Sequence, residues 1–483
     1  MKVLIANIMP EETRMAMIED NILRDMAIER REDGHIVNNI YRGVVKNILP
    51  GMQAAFVDIG REKNAFLYLG DIFPRTATKA EIQQLHLSLG QRLLVQIVKE
   101  ENGMKGAKVT ANVSIPGRYA VLMPTVDYIG VSKKINDENE RNRLRDIVTA
   151  VKPNGMGIII RTVAKGVTES ELVHDIKYLL HTWESIRRRY TIAKGTELLY
   201  READLIMRMI RDHFTFDVKK VIVDNKESYE RIQQFFFAGD TFWRDRIELY
   251  EGSQPVFERY HLEEQFRDLM KRQVELPSGA TLVFDHTEAL TVIDVNSGKY
   301  IGSSTLRDTI FHVNKEAAKE IARQLRLRDI GGIILVDFID MELPAQRETL
   351  LELLKVETQT DRTRTNILGM TALGLVEITR KKARQGIHQF LFAPCDVCNG
   401  AGVLYSSESV SIQIIRKLRY LVFKKRIKGD LLISAHPDVI ARLSDKQEKE
   451  RLEAELGRAL YFEKNDHPNR EVYSILSYTD GDE

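Results

Sequence analysis

Two strand-like segments of this chain end in acid. One reads Thr291-Val292-Ile293-Asp294-Val295-Asn296, the other Ile333-Ile334-Leu335-Val336-Asp337-Phe338. In open α/β sheets, sites form at the carboxyl ends of strands. One helical stretch lies between the two segments, so they can be neighbours and bring Asp294 and Asp337 together. Two carboxylates about 4 Å apart repel by roughly 4 kcal/mol at an effective dielectric near 20. Such a pair needs a proton, an Arg or Lys, or a cation. Asn296 adds a neutral oxygen two residues on. A small set of oxygen ligands suits Mg²⁺, which keeps several waters and takes further oxygens from substrate phosphate. The alternative is that both aspartates cap turns or pair with Arg323, Arg326 or Arg328. Asp340, three residues past Asp337, is less suited to face the same way.

A second group is Cys395-Asp396-Val397-Cys398, followed by Asn399-Gly400-Ala401-Gly402. Glycines after a CxxC give the tight turn of a zinc knuckle. A closed zinc site needs four ligands, and the chain has 2 cysteines. His388 could add a third ligand. A zinc shared across a symmetric dimer, with Cys395 and Cys398 from each chain, completes the set. A redox-active CxxC or inert thiols are the other readings. Two cysteines exclude a disulfide scaffold and suit a reducing compartment.

The elements around these residues form several units. The first 35 or so residues read as short strands, too few for a domain, that complete a sheet with later partners. From 41 to 113 the pattern is all-β, with five short strands punctuated by glycines, which suits a small barrel. Phe56, Phe66 and Tyr68 lie there among Arg42, Lys46, Arg61, Lys63 and Lys105. Rings for bases and cations for phosphates suit single-stranded RNA, and the plain alternative is that the rings are core. Helical periodicity predicts helices over 138–151 and 169–189, with a strand over 157–161. Leu306, Ile310, Val313, Ala317, Ile321 and Leu325 mark one face of a long helix stopped by Gly331-Gly332. The stretch from 404 to the end is a further small α/β unit.

Apolar residues are 43% and charged residues 29% of the 483, enough to bury cores and too apolar for a disordered chain. Lys and Arg number 71 against 70 Asp and Glu, a net +1, so any polyanion must be held by local patches. One such patch is 361–387, where Arg362, Arg364, Arg380, Lys381, Lys382 and Arg384 face two acids. Solvated helix surface is the plain reading of that run. No apolar run approaches the roughly 18 residues that span a bilayer, and the short apolar start lacks a cleavage site, so a soluble cytoplasmic protein is expected. No Walker loop, HExxH, GxGxxG or GxSxG is present, which removes support for ATP, nicotinamide and serine-hydrolase chemistry.

Taken together, EALTVIDVNS (288–297), EIARQLRLRDIGGIILVDFIDM (320–341) and CDVCNGAG (395–402) resemble the ribonuclease E/G family of bacterial endoribonucleases. The resemblance implies a multidomain α+β fold. An RNase H-like domain (1–35 and 207–270) is interrupted by an S1-like OB β-barrel (36–112) and a 5′-sensor region (113–206). A deoxyribonuclease I-like catalytic domain (271–391), a zinc link (392–404) and a small dimerisation domain (405–483) follow. It implies that Asp294 and Asp337 hold Mg²⁺ with Asn296 in support, that Phe56, Phe66 and Lys105 contact RNA, and that Gly117, Val121, Arg161 and Thr162 bind a 5′-monophosphate. Arg161 ends a strand, where a bidentate guanidinium grip on phosphate is a strong contact. Backbone amides near Gly117 and Val121 would meet the remaining oxygens. The implied partners are single-stranded RNA, namely ribosomal RNA precursors and messenger RNA, and a second copy of the chain. The family often carries Pro between the cysteines; here Asp396 stands there and Pro394 precedes the motif. A non-catalytic RNA-binding scaffold and a zinc hydrolase centred on the cysteines are the alternative functions.

Overall fold

The computed structural model describes residues 1–30, 36–72, 87–101, 105–236, 241–298, 306–359, 361–382 and 386–478. The chain forms two compact units, Met1–Phe390 and Leu391–Glu483.

The larger unit is mixed α+β and, among the described residues, holds four sheets. Lys2–Ile8 is apolar on both faces and is a central strand. It pairs antiparallel with Glu12–Glu19, which continues to Ile22–Arg30, and parallel with Val218–Val223. The opening strands therefore find their partner more than 200 residues later. Five strands then close into a barrel, Ile40–Leu49, Ala54–Asp58, Ala65–Tyr68, Lys108–Thr110 and Arg92–Lys99, the last pairing back onto the first. Val45, Ala55, Val57, Leu67, Val95 and Ile97 fill it. Gly43 lets two walls approach, since a Cβ there would come within 2.4 Å of Val57 Cγ1.

A four-stranded sheet follows, with Ala120–Met123 between Ile115–Pro116 and Gly157–Ile160. It packs on two helices whose starts are legible in sequence. Asp137 caps Glu138–Val151 and Thr168 forms a capping box with Glu171 at Glu169–Ile192. The second helix runs three residues past the expected 189.

The six-stranded sheet that carries the acidic strand ends runs in the order Gln273–Glu275, Thr281–His286, Leu290–Asn296, Gly332–Asp337, Val376–Arg380, Thr365–Met370. Helices Leu306–Leu327 and Pro344–Thr358 cover one face. Ile293, Val295, Ile334 and Val336 point into that layer with Val313, Ala317, Ile321 and Leu350. Each fully buried Leu or Ile contributes about 1.5–3 kcal/mol. The long helix ends at Leu327, ahead of the two glycines. Asp329 (φ +49) and Gly332 (φ +106) take the left-handed backbone that turns the chain into the next strand.

The smaller unit has a three-stranded sheet, Leu460–Lys464, Asp430–Ala435 and Ser474–Tyr478, packed on Ser407–Arg419 and two further helices. Among the described residues no helix is long and apolar enough to cross a membrane.

Candidate functional site

Leu290–Asn296 and Gly332–Asp337 lie side by side and parallel, and their register makes Asp294 the partner of Asp337. Adjacent parallel strands sit about 4.8 Å apart, and register partners share a face. Alternation puts Ile293, Val295, Ile334 and Val336 under the helices, so Val292, Asp294, Asn296, Leu335 and Asp337 take the other side. That face is open: Asp294, Asn296 and Asp337 are exposed. Asn296 Nδ2 donates to Asp294 Oδ2 at 2.7 Å and fixes the carboxylate.

The competing role for these aspartates fails on geometry. Arg323 donates to Glu320 and to the Leu23 carbonyl, Arg326 to the Arg24 carbonyl, and Arg328 to Gln324 while lying over the Phe284 ring. Among the described residues neither Asp294 nor Asp337 has a cationic partner. Another acid on the same face, Asp285, is held bidentately by Arg272 at 2.6 and 2.7 Å. The hydrogen bonds from Arg272 hold the Asp285 carboxyl below the usual range. Two neighbouring carboxylates without such a partner form a donor set that a hard, oxygen-seeking cation fits. Glu377, opposite Leu335, is a fourth exposed acid on this face, one diagonal step from Asp337, and sequence spacing gave no sign of it. It is too distant to complete a cage, for among the described residues no three His, Cys, Asp or Glu side chains gather as a metal site.

On the barrel, Phe56 and Phe66 are register partners with rings 6.1 Å apart at 77°. Their flanking residues Ala55, Val57, Ala65 and Leu67 are the ones inside, so both rings lie outside the barrel core and are half-buried. Tyr68 continues the row, 39% exposed. Lys105 is exposed. The other cations divide: Lys46 and Arg61 pair with Asp58 and Glu101, and Arg42 is buried at the barrel's edge with Tyr190 over it.

Arg161 donates to the Gly117 carbonyl at 2.7 Å and to the Asp212 carboxylate, and Thr162 shares a 2.8 Å hydroxyl contact with Ser132. Burial pushes the Asp212 carboxyl up, but the Arg211 and Arg161 guanidiniums outweigh it and hold it well below the usual range. Val121 is half-buried in its strand between Pro116 and Ile159. The loop amides have a different partner from the one expected. Arg118, Tyr119 and Ala120 donate to Asp175 at 3.1, 2.9 and 3.0 Å. A Cβ on Gly117 would press within 2.8 Å of both Asp175 oxygens, so glycine is required there. What Arg161 and Thr162 leave free for an anion is the rest of the guanidinium and the hydroxyl. Sequence reasoning missed both Asp175 and Asp212. Asp175 had a signal, an acid on the apolar stripe of Leu172, Ile176 and Leu179; Asp212 had none.

Asp212 also lines a groove of 1050 Å³ with Arg24, Arg30, Arg208, Arg326 and Arg362. The basic run at 361–387 is not solvated helix. Its described residues span two strands, Thr365–Met370 and Val376–Arg380, and the segments beside them, and Arg380 is buried between Asp329 and Asp361; Arg384 lies outside the described residues.

In the smaller unit, Cys395 and Cys398 are free thiols. Cys398 Sγ accepts from the Gly402 amide at 3.3 Å, and this bond helps lower its pKa. Asn399, Gly400 and Gly402 have positive φ, the backbone that wraps amides around a sulfur.

Comparison with known proteins gives the family. Residues 114–383, which include both aspartates, match the Ribonuclease E/G family. The chain is 39% identical over 462 residues to Ribonuclease G of Escherichia coli (strain K12), covering 94% of each. This chain belongs to the ribonuclease E/G family. It is also 38% identical to Ribonuclease G of Salmonella typhimurium (strain SL1344), over 98% of this chain and 99% of that one. With Ribonuclease E of Nostoc sp. it shares 41% over 374 residues, 76% of this chain and 54% of the longer relative. The E/G family match reaches from the loop before Gly117 through the whole aspartate sheet, and the Ribonuclease G similarities extend over the barrel and the smaller unit.

Proposed function

We propose that this chain, an endoribonuclease as its family membership has it, hydrolyses phosphodiester bonds in single-stranded RNA at Asp294 and Asp337. The observation that carries the reading is the register pairing of two exposed carboxylates that have no cationic partner among the described residues. Asp294 and Asp337 would hold Mg²⁺, with Asn296 fixing the Asp294 rotamer. When bound, the ion supplies charge neutralisation at the phosphate and lowers the pKa of water. Water oxygen bonds to phosphorus as the P–O3′ bond breaks, and a proton passes to the leaving oxygen. The products carry 5′-phosphate and 3′-hydroxyl ends. Phe56 and Phe66 stack bases beside Lys105, and Arg161 and Thr162 grip a 5′-monophosphate, anchoring one end of the strand.

The fold then divides as the family's does. RNase H-like (1–35, 207–270), S1-like OB (36–112), 5′-sensor (113–206), deoxyribonuclease I-like (271–391), zinc-link (392–404) and dimerisation (405–483) parts act in the cytoplasm on ribosomal RNA precursors and messenger RNA. Cys395 and Cys398 of two chains share one zinc. Metal analysis giving one zinc per chain would contradict the sharing.

The test is an A/U-rich oligoribonucleotide with a 5′-phosphate, with and without Mg²⁺. Cleavage in Mg²⁺ that Asp294→Asn abolishes while RNA affinity remains supports the enzyme. The outward-facing rings of Phe56 and Phe66 favour a second reading, an RNA-binding scaffold; binding without metal-dependent cleavage by the parent protein would establish it. Activity that returns with Mg²⁺ in zinc-free protein dismisses the zinc-hydrolase reading.

A further inference from the structure

In the smaller unit the stretch 416–428, Arg-Lys-Leu-Arg-Tyr-Leu-Val-Phe-Lys-Lys-Arg-Ile-Lys, holds seven Lys or Arg and no acid. It begins in the helix Ser407–Arg419 and leaves it through a wider π-turn, Tyr420–Lys424, closed by Lys425 N to Tyr420 O at 3.0 Å. Such turns interrupt helices frequently at functional sites. Here the turn keeps Leu418 and Val422 in the core while Tyr420 and Phe423 stand 46% and 53% exposed. Arg426, with φ +54, takes a left-handed conformation that costs a non-glycine residue about 1–2 kcal/mol.

Among the described residues the charges are largely uncompensated. Arg419 is held bidentately by Glu455 at 2.7 and 2.9 Å, and Lys417 lies 5.7 Å from the Tyr420 ring. Arg416, Lys424, Lys425, Arg426 and Lys428 are exposed and meet no carboxylate among the described residues. Two exposed rings set among free cations are what a single-stranded polyanion with aromatic bases needs, because rings take bases and cations take phosphates. Docking against a second copy is disfavoured, since a two-fold contact would set this cationic patch against itself.

We propose that this π-turn is a second RNA contact, stacking bases on Tyr420 and Phe423 while Lys424, Lys425 and Arg426 hold flanking phosphates. It rests on the proposed function only in that the RNA held is the substrate of the ribonuclease.

The test uses the full chain in EDTA and fluorescence anisotropy with unstructured RNAs of about 30 and about 8 nucleotides. Compared are the parent, the triple variant K424A/K425A/R426A and the double variant Y420A/F423A; all five side chains are exposed, and circular dichroism checks folding. For the longer RNA the triple variant is expected to bind at least ten-fold more weakly, with a log affinity–log salt slope smaller by about 2, at roughly 0.7 per phosphate on single strands. The double variant is expected to bind about ten-fold more weakly with its slope unchanged. Cleavage of the short RNA in Mg²⁺ should match the parent in both. Parental affinity and slope in both variants would overturn the proposal. So would weakening explained by a lost dimer in light scattering, or loss of binding to phosphatidylserine vesicles without loss of RNA binding. A parent that cuts neither RNA would overturn the proposed function and leave these affinities readable.

Discussion

Asp337→Asn removes one of two like charges that strand register forces onto neighbouring positions. With carboxylates roughly 5 Å apart, the repulsion is about 3 kcal/mol at an effective dielectric of 20 and about 1 kcal/mol in bulk water. Both side chains are exposed, so the lower figure governs. In EDTA the variant is therefore expected to be more stable than the parent by about 1 kcal/mol in the transition that exposes this sheet. Excess Mg²⁺ reverses the order. At ten times its dissociation constant a bound ion stabilises the parent by about 1.4 kcal/mol, and a site with one carboxylate binds too weakly to follow. Catalysis moves the opposite way from apo stability, with a loss of about 100-fold or more, equivalent to roughly 3 kcal/mol of transition-state stabilisation. Thermal melts with and without Mg²⁺, beside single-turnover cleavage, read all three quantities. A variant that melts below the parent in EDTA, or cuts RNA at the parental rate in Mg²⁺, refutes the reasoning.

Arg161→Lys keeps the charge but loses the planar fork that spans the Gly117 carbonyl and Asp212, so 5′-phosphorylated and 5′-hydroxyl RNAs should be cut at equal rates, where the parent favours the first by ten-fold or more. A parent without that preference would remove the 5′-phosphate role. Phe66→Ala should weaken single-stranded RNA binding by about 1–3 kcal/mol without unfolding the barrel, because the ring lies outside its core. Unchanged affinity in anisotropy titrations would return the ring to a packing role. Glu140 has its carboxyl lowered from 4.5 to about 2, chiefly by Arg143, which grips it at 2.7 and 2.8 Å. Its folded pKa lies below the unfolded one, so its stabilisation is full above pH 4.5 and fades as pH falls toward 2. Glu140→Gln should cost about 1–2 kcal/mol in urea unfolding at pH 7 and little near pH 2; an equal cost at both pH values would contradict the ion pair.

Local patterns carried much of this protein. The strand alternation around Asp294 and Asp337, the helical periodicity over 138–151 and 169–189, and the apolar stripe of the helix Leu306–Leu327 are short-range features whose periods are set by backbone geometry. One helix between two strands was enough to make the acidic ends candidate neighbours. The tertiary structure decided what depends on distant partners. It denied Arg323, Arg326 and Arg328 to the aspartates by giving them Glu320, the backbone of Leu23 and Arg24, and Gln324. It turned Phe56 and Phe66 outward, which composition left open, because barrel closure fixes which side of each strand is inside. It bound the amides of Arg118, Tyr119 and Ala120 to Asp175, and Arg161 to Asp212, pairs 51 or more residues apart. It also moved part of the basic run at 361–387 from surface to interior by burying Arg380 between two acids. Hydrophobic period is written into each segment, whereas the partner of a charged or hydrogen-bonding group is chosen only when the folded chain removes it from water and leaves one group within reach.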